Sequence, residues 1–256
     1  MKSFIFTIDD NIRFLDELTK TGAESIFSHP YAKMLKDLHE TFNVKVQLNL
    51  FYENSTFNLS KMTDKYYKEW EENADWLKLS FHSRVENVCP YKDSSFEEVY
   101  TDCANVKREI LRFAGEKSLA TTTTVHYCQT TNDGLNALKD NGVKGLLGLY
   151  GTENEPTNSY NTDLDSADKI RKGEVVLSDG IYFSGIDIVL NCFSIEENLE
   201  LLKPLLDRRV VKIMIHEQYF YKDYFLYQSD FKQKLEKAFS CLIESGFKSC
   251  FYEEIL

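Results

Sequence analysis

The chain has 256 residues, enough for one large α/β domain or two small ones with a sizeable hydrophobic core. Its formal net charge of -11 argues against a nucleic-acid backbone or an anionic membrane surface as the main partner. No run of about 18 apolar residues is present, and a core strand predicted from Ser3 leaves no room for a signal peptide. The six cysteines are scattered without a C-x-x-C pair, as is typical of free thiols, so we expect a cytoplasmic protein.

The first predicted strand, residues 3–8, ends on two adjacent carboxylates, Asp9 and Asp10. Reactive groups in α/β folds lie where strands end, because a rigid sheet delivers side chains there to a solvent-open crevice. Two neighbouring carboxylates repel each other unless a bound cation or a shared proton neutralises part of their negative charge. Asp-Asp-Asn is also favourable turn chemistry, so the pair by itself leaves a purely structural turn open.

Downstream, hydrophobic periodicity predicts strands that alternate with capped helices. We expect residues 11–30 and 151–168 to be mainly loops, the first with short helical turns. The predicted helices are residues 31–39, 63–73, 94–114, 130–141, a segment after Ser194 and 230–245. The predicted strands are residues 44–51, 76–81, 121–125, 143–149, 187–190, 210–215 and 247–252, with a hairpin of 175–178 and 181–183. This alternation predicts an α/β fold, a parallel sheet closed or nearly closed into a barrel, in one domain spanning residues 1–256.

Three of the five histidines, His82, His126 and His216, end predicted strands and would therefore lie on one rim of such a barrel. His82 and Glu86 are four residues apart, so a helical turn there would place both on one face. Together with the aspartate pair they would supply three or four ligands for a divalent cation such as zinc. A histidine after buried apolar residues is equally well explained as a hydrogen-bonded core group, and each motif alone leaves that interpretation open.

The motifs resemble those of a known family. Phe6-Thr7-Ile8-Asp9-Asp10 resembles the Thr-Phe-Asp-Asp opening of the polysaccharide deacetylases, the NodB-type carbohydrate esterases. Phe-His-Ser-Arg-Val-Glu at 81–86 is similar to the second motif, His-Ser-x-x-His, and Ile-Met-Ile-His-Glu at 213–217 to the last, a strand ending in Leu-x-His or Leu-His. Val-His-Tyr at 125–127 falls where the third motif, Arg-x-Pro-Tyr, is expected.

The resemblance implies a distorted (β/α) barrel of the polysaccharide-deacetylase type and a metal-dependent removal of an acetyl group from a carbohydrate or a related amide. Asp10, His82 and Glu86 would hold the metal, zinc in the first place with Co, Mn or Ni as alternatives. Asp9 would be the general base and His216 the general acid. Implied contacts with the substrate, including an oxyanion hole at the main-chain N–H of Tyr127, involve His126, Tyr127 and Arg84.

An aromatic segment and several departures from the family pattern widen the range of functions. Residues 219–227 hold six aromatics in nine positions, so Tyr219 would contact a sugar, unless these rings only anchor a loop. Glu86 stands at the second metal histidine and Thr124 at the third-motif arginine. The alternative is therefore a non-catalytic carbohydrate-binding relative, and a third option is a glycoside hydrolase that pairs Asp9 with a distant acid.

Overall fold

The computed structural model describes residues 2–86, 88–152 and 154–256. Its helices are α1 Arg13–Thr21, α2 Pro30–Phe42, α3 Tyr67–Glu72, α4 Phe96–Phe113, α5 Asn132–Asp140, α6 Leu164–Arg171, α7 Ile195–Leu202 and α8 Phe231–Glu244. Its strands are β1 Lys2–Asn11, β2 Val46–Phe51, β3 Leu77–Ser83, β4 Thr122–Thr123, β5 Gly145–Gly148, β6 Val176–Ser178, β7 Ile181–Gly185, β8 Ile188–Val189, β9 Val210–His216 and β10 Phe247–Ser249.

The strands form two sheets. The larger has the order β3-β2-β1-β9-β8, with β10 paired to the first residues of β1, and all of these pairs are parallel. The smaller has the order β4-β5-β7-β6, in which only β6 runs antiparallel, as the partner of β7 in the predicted hairpin. Parallel strands joined by helical connections confirm the predicted α/β class.

The two sheets follow each other around a ring with two seams. At the β3–β4 seam the main-chain N–H of Ala120 donates to the Leu79 carbonyl at 2.9 Å, and the Ser80 hydroxyl donates to the Thr122 carbonyl at 2.8 Å. At the other seam, between β7 and β8, Ile186 N–H donates to the Gly148 carbonyl of β5 at 2.8 Å, and the next residue, Asp187, donates its N–H to the Lys212 carbonyl of β9 at 2.8 Å. No strand ladder crosses either seam in the described residues, so the ring is a distorted barrel and is not closed.

The alternation of side chains along β1 decides which of them point into the barrel. Phe4 and Phe6 lie against Phe239 of α8, with ring centroids 5.8 and 5.0 Å apart, and so face outward. Ile5, on the opposite face, belongs to a separate small apolar cluster. Because strand side chains alternate, Asp9 shares the inward face of Ile5.

Two segments predicted as loops contain helices. Helix α6 begins after Asp163, whose carboxylate accepts from the Ser166 N–H, a local capping signal within residues 151–168. Helix α1 has no side-chain cap from its own N-cap residue, Ile12. Its first N–H groups donate instead to Glu217, about 200 residues later, so its start carries no local signal.

The remaining expectations concern the chain as a whole. No helix in residues 2–86, 88–152 and 154–256 combines the length and the apolar character needed to cross a bilayer. All six cysteines are free thiols, as predicted. The single domain and the cytoplasmic location stay predictions.

Candidate metal centre

The carboxyl ends of the strands bring the singled-out side chains together. Asp9 and Asp10 directly precede Asn11, the last residue of β1, His82 lies near the end of β3, and His216 is the last residue of β9. Asp9 and His216 face each other in the parallel register of β1 and β9. His126 follows β4, across the β3–β4 seam. Residues distant in sequence thus meet at one rim.

An irregularity in β1 turns both adjacent aspartates toward the same histidine. In a regular strand successive side chains point to opposite faces. Here Asp10 has a φ of 63°, and the register with β2 shifts between Ile8 and Asn11. As a result Asp10 Oδ1 lies 3.0 Å from His82 Nε2, and Asp9 Oδ2 lies 3.9 Å from His82 Nδ1. A left-handed backbone at a non-glycine residue is strained, and such strain concentrates at functional sites.

Three ligand atoms form a compact triangle that we call the triad: Asp10 Oδ1, His82 Nε2 and His126 Nδ1. The edges are 3.0 Å from Asp10 to His82, 3.1 Å from His82 to His126 and 3.4 Å from His126 to Asp10. Ligand atoms about 2.0–2.1 Å from a tetrahedral cation lie about 3.3–3.4 Å apart, so the triad fits a zinc-sized ion after a small expansion. Asp10 and His82 were expected here, whereas His126 was expected to contact substrate.

The neighbours of the triad fix its orientation. The Thr124 carbonyl accepts a hydrogen bond from His82 Nδ1 at 2.5 Å, which directs Nε2 of the same ring toward the centre. Gln218 Nε2 donates to Asp10 Oδ2 at 2.6 Å, so the second carboxylate oxygen is also held. Within the part of the chain that the structure describes, His126 Nε2 is buried without a hydrogen-bond partner. The ring packs against Phe51 and Tyr127, with centroids 4.9 and 4.4 Å away, while its Nδ1 faces His82 and Asp10.

The two adjacent carboxyl groups differ in proton affinity. Burial would raise the pKa of Asp10, but the hydrogen bonds from His126 and His82 outweigh it and hold this pKa well below its usual range. Burial raises the pKa of Asp9, although the nearby His82 and His216 and a 2.6 Å hydrogen bond from Asn49 oppose it. Asp10 is thus the carboxyl group that stays anionic, and Asp9 is the one that takes up a proton more readily.

His216 is held by a residue that sequence reasoning missed. Asn191 Oδ1 accepts from the main-chain N–H of His216 at 3.2 Å and lies 2.9 Å from its Nδ1. This contact orients the ring and leaves Nε2 as the nitrogen available to a substrate. Asn191 precedes α7 in a segment without a distinguishing pattern, so no signal in the sequence marked it.

Glu86 does not join the triad. The helical turn expected after His82 is absent, because residues 84–86 form bends, and an i, i+4 pair shares a face only in a helix. Glu86 instead lines a cavity of about 490 Å³ together with Arg13, Lys20 and Glu53. Burial, and then the charge of Asp10, raises its pKa.

The expected substrate contacts differ in how close they come to the centre. Arg84 is exposed, and its Nε donates to Glu53 at 2.9 Å. Tyr127 is 55% exposed, and its ring lies 4.4 Å from that of His126. Its φ of 60° and the φ of 53° at Cys128 give two consecutive left-handed residues beside the triad. The Tyr219 ring lies 6.1 Å from that of His216.

Comparison with known proteins identifies the fold. No family model and no curated protein matches the sequence. Among solved structures, a family 4 acetyl xylan esterase from Clostridium thermocellum in complex with a cobalt ion is 12% identical, with a TM-score of 0.56 over 99% of this chain and 90% of that one. A peptidoglycan N-acetylglucosamine deacetylase is 12% identical, with a TM-score of 0.54 over 99% of this chain and 87% of that one.

A second type of enzyme shares the architecture. The 4-alpha-glucanotransferase from Thermococcus litoralis is 13% identical, with a TM-score of 0.61 over 99% of this chain but only 40% of that one. The fold is therefore the distorted α/β barrel found in family 4 carbohydrate esterases and in part of this larger enzyme. The predicted resemblance to the polysaccharide deacetylases is confirmed at the level of the fold.

Proposed function

We propose that this protein is a divalent-metal-dependent hydrolase that removes an acetyl or related acyl group from a carbohydrate or a related amide. The observation that carries the proposal is the triad of Asp10, His82 and His126 beside a second carboxyl group, Asp9, of raised pKa. The fold supports it, because the acetyl xylan esterase of the same fold was crystallised with a cobalt ion.

Asp10, His82 and His126 would hold the cation. Two imidazole nitrogens and one carboxylate oxygen suit zinc, with cobalt, manganese and nickel as alternatives. When bound, a divalent cation lowers the pKa of water and stabilises negative charge on an acyl oxygen. We do not assign Glu86 to these ligands, since it lines the neighbouring cavity.

Proton transfer falls to two other residues. Asp9 would accept a proton from the attacking water, because burial raises its pKa toward the working range and Asn49 holds its carboxylate in place. His216 would donate a proton to the departing amine or alcohol, with its ring oriented by Asn191. Each transfer typically contributes about 10²–10⁴-fold in rate.

Substrate contacts complete the proposal. The strained main chain at Tyr127 would direct an N–H toward the acyl oxygen, and Tyr219 would contact the sugar beside His216. Arg84 is a weaker candidate, because its guanidinium already pairs with Glu53.

One observation favours the second candidate, a carbohydrate-binding protein without turnover. The third-motif arginine is replaced by Thr124, whose carbonyl is used to orient His82. Within the described part of the chain, the ion-pair partner of Asp9 is His82 at 3.9 Å, and no guanidinium takes this role. The base therefore lacks the charged partner that the family resemblance implies.

An Asp9→Asn variant separates the two candidates. Acetate released from an acetylated xylo-oligosaccharide and from the N-acetylglucosamine tetramer is measured with zinc-supplied protein. We expect release by the wild type and a loss of about 10²–10⁴-fold in Asp9→Asn, with zinc affinity changed little because Asp9 lies outside the triad. Asp165→Asn, whose carboxylate is 87% exposed on α6, is the matched control and should keep full activity. Sugar binding without acetate release from the wild type would favour the non-catalytic protein.

A further inference from the structure

We propose that the loop after β9 carries a binding subsite for further sugar units of an oligosaccharide, with Tyr224 and Phe225 as its stacking residues. Tyr219, Tyr224 and Phe225 are together called the aromatic platform. The inference rests on the proposed function for the class of ligand, a carbohydrate, but does not depend on turnover.

The aromatic platform is continuous with the candidate active centre. Ring centroids are 6.1 Å apart from His216 to Tyr219, 5.2 Å from Tyr219 to Tyr224 and 4.8 Å from Tyr224 to Phe225. The platform therefore extends outward from His216 ring by ring, and Phe225 is its outermost ring.

The outer end of the platform is open. Phe225 is 82% exposed, and the next two residues, Leu226 and Tyr227, are 46% and 37% exposed. Single exposed apolar side chains are common, but a contiguous group beside a candidate active centre is typical of a ligand-binding surface.

The loop that carries the platform is firmly attached. Gln228 N–H donates to the Tyr219 carbonyl at 2.9 Å, and its side-chain amide donates to the Asn191 carbonyl at 2.7 Å. Asp223 accepts from the Arg13 guanidinium through both carboxylate oxygens at 2.8 Å, and Tyr221 is buried. The rings are thus preorganised, so that the loop loses little conformational entropy when a ligand binds.

The chemistry of the platform matches a sugar chain. A pyranose ring presents an apolar C–H face and a hydroxyl-bearing edge, which suits aromatic faces flanked by tyrosine hydroxyls. A stable interface with a protein, including a second copy of this chain, buries about 800 Å² per partner, far more than three neighbouring side chains provide. We therefore assign the platform to sugar units that extend from the unit bound at the triad.

The test compares short and long ligands by isothermal titration calorimetry on the full chain supplied with zinc, with every protein carrying Asp9→Asn so that the tetramer is bound and not hydrolysed. The probes are N-acetylglucosamine and its β-1,4-linked tetramer. We expect the Asp9→Asn parent to bind the tetramer about tenfold more tightly than the monomer. Phe225→Ala should weaken tetramer binding about three- to tenfold without changing monomer binding, and Phe225→Tyr should restore it.

The control is Leu164→Ala, because Leu164 on α6 is exposed to the same 82% and lies outside the loop. It should leave both affinities unchanged. The proposal is overturned if the Asp9→Asn parent binds neither ligand or does not prefer the tetramer, or if Phe225→Ala leaves tetramer affinity intact. Light scattering that finds a dimer in the wild type and a monomer in Phe225→Ala would also overturn it, in favour of self-association. If tetramer binding depends on Phe225 but no acetate is released, the platform stands and only the proposed hydrolysis fails.

Discussion

Asp9 and Asp10 are neighbours in the chain, yet their surroundings differ. The carboxylate of Asp10 lies against the two imidazoles of the triad. The carboxylate of Asp9 instead accepts a hydrogen bond from the buried side-chain amide of Asn49. Groups whose pKa values are pushed apart in this way are typical of sites with one permanently charged ligand and one proton acceptor. The backbone irregularity at Asp10 would allow the proposed division of roles, because both side chains then reach the same rim.

The identity of the third ligand gives a prediction at the residue scale. We expect His126→Ala to weaken zinc binding by at least about 100-fold, because it removes one of three ligand atoms. Glu86→Gln should change zinc affinity less than about threefold, since Glu86 lines the adjacent cavity instead. Competition with a chromogenic zinc chelator measures both variants.

The two variants also form a matched pair. Each removes one candidate ligand group from the surroundings of His82, and circular dichroism checks that both remain folded. A loss of affinity in Glu86→Gln with none in His126→Ala would contradict the triad and restore the ligand set that the family resemblance implies.

At the scale of an element, the start of helix α1 depends on Glu217, the residue that directly follows β9. Glu217 Oε2 accepts from Ile12 and Arg13 N–H at 2.7 and 3.0 Å, and Oε1 accepts from Phe14 N–H at 2.7 Å. These two carboxyl oxygens satisfy N–H groups that a helix start leaves unpaired. This fixes α1 directly after the aspartate pair, and Glu217 is adjacent to His216, so the capping contact also stabilises the rim.

Replacing Glu217 tests this contact. Burial raises the pKa of Glu217 from its usual 4.5 to about 7, although the N–H donors oppose this. Between these values the folded state holds more protons than the unfolded state, so the stability from this group is full below about pH 4.5 and is lost as the pH rises through 7.

We expect Glu217→Gln to lower the free energy of unfolding by about 1–3 kcal/mol at pH 5, because a buried N–H loses its acceptor, and by less at pH 8. Urea denaturation at the two pH values measures the difference from the wild type. Glu200→Gln, whose carboxylate is 69% exposed on α7, should behave as the wild type. A deficit in Glu217→Gln that grows with pH would contradict the assigned pKa direction.

At the scale of the molecule, the triad spans a seam of the barrel. Asp10 and His82 belong to the larger sheet, and His126 follows β4 of the smaller sheet. In the described residues no ladder crosses between β3 and β4, so a cation held by the triad would link the two sheets. Metal binding is therefore expected to be coupled to the stability of the whole fold.

Zinc at about 100 times its dissociation constant should stabilise the protein by about 2.7 kcal/mol, which raises Tm by roughly 5–10 °C. Differential scanning calorimetry of metal-free and zinc-supplied protein measures the shift. His82→Ala should abolish it, because His82 contacts both other ligands. An equal shift in that variant would mean that zinc binds elsewhere.

Local patterns in the sequence were sufficient to predict most of the strands and helices. Strand alternation, the Asp179-Gly180 hairpin and the capping box of Ser194 with Glu197 involve residues close in the chain, so their signals are readable without a fold. The same reasoning placed the aspartate pair, His82 and His216 at strand ends, and parallel strands bring such ends to one edge.

Tertiary structure alone decided how these groups are used. The sequence placed Glu86 beside His82 through an expected helical turn, but bends replace that turn and the neighbouring strand delivers His126. Likewise, Asn191 reaches His216 and Glu217 caps α1 across long separations in the chain. Such contacts depend on the packing of the barrel and leave no local periodicity, whereas helices, strands and their ends are determined by neighbours along the chain.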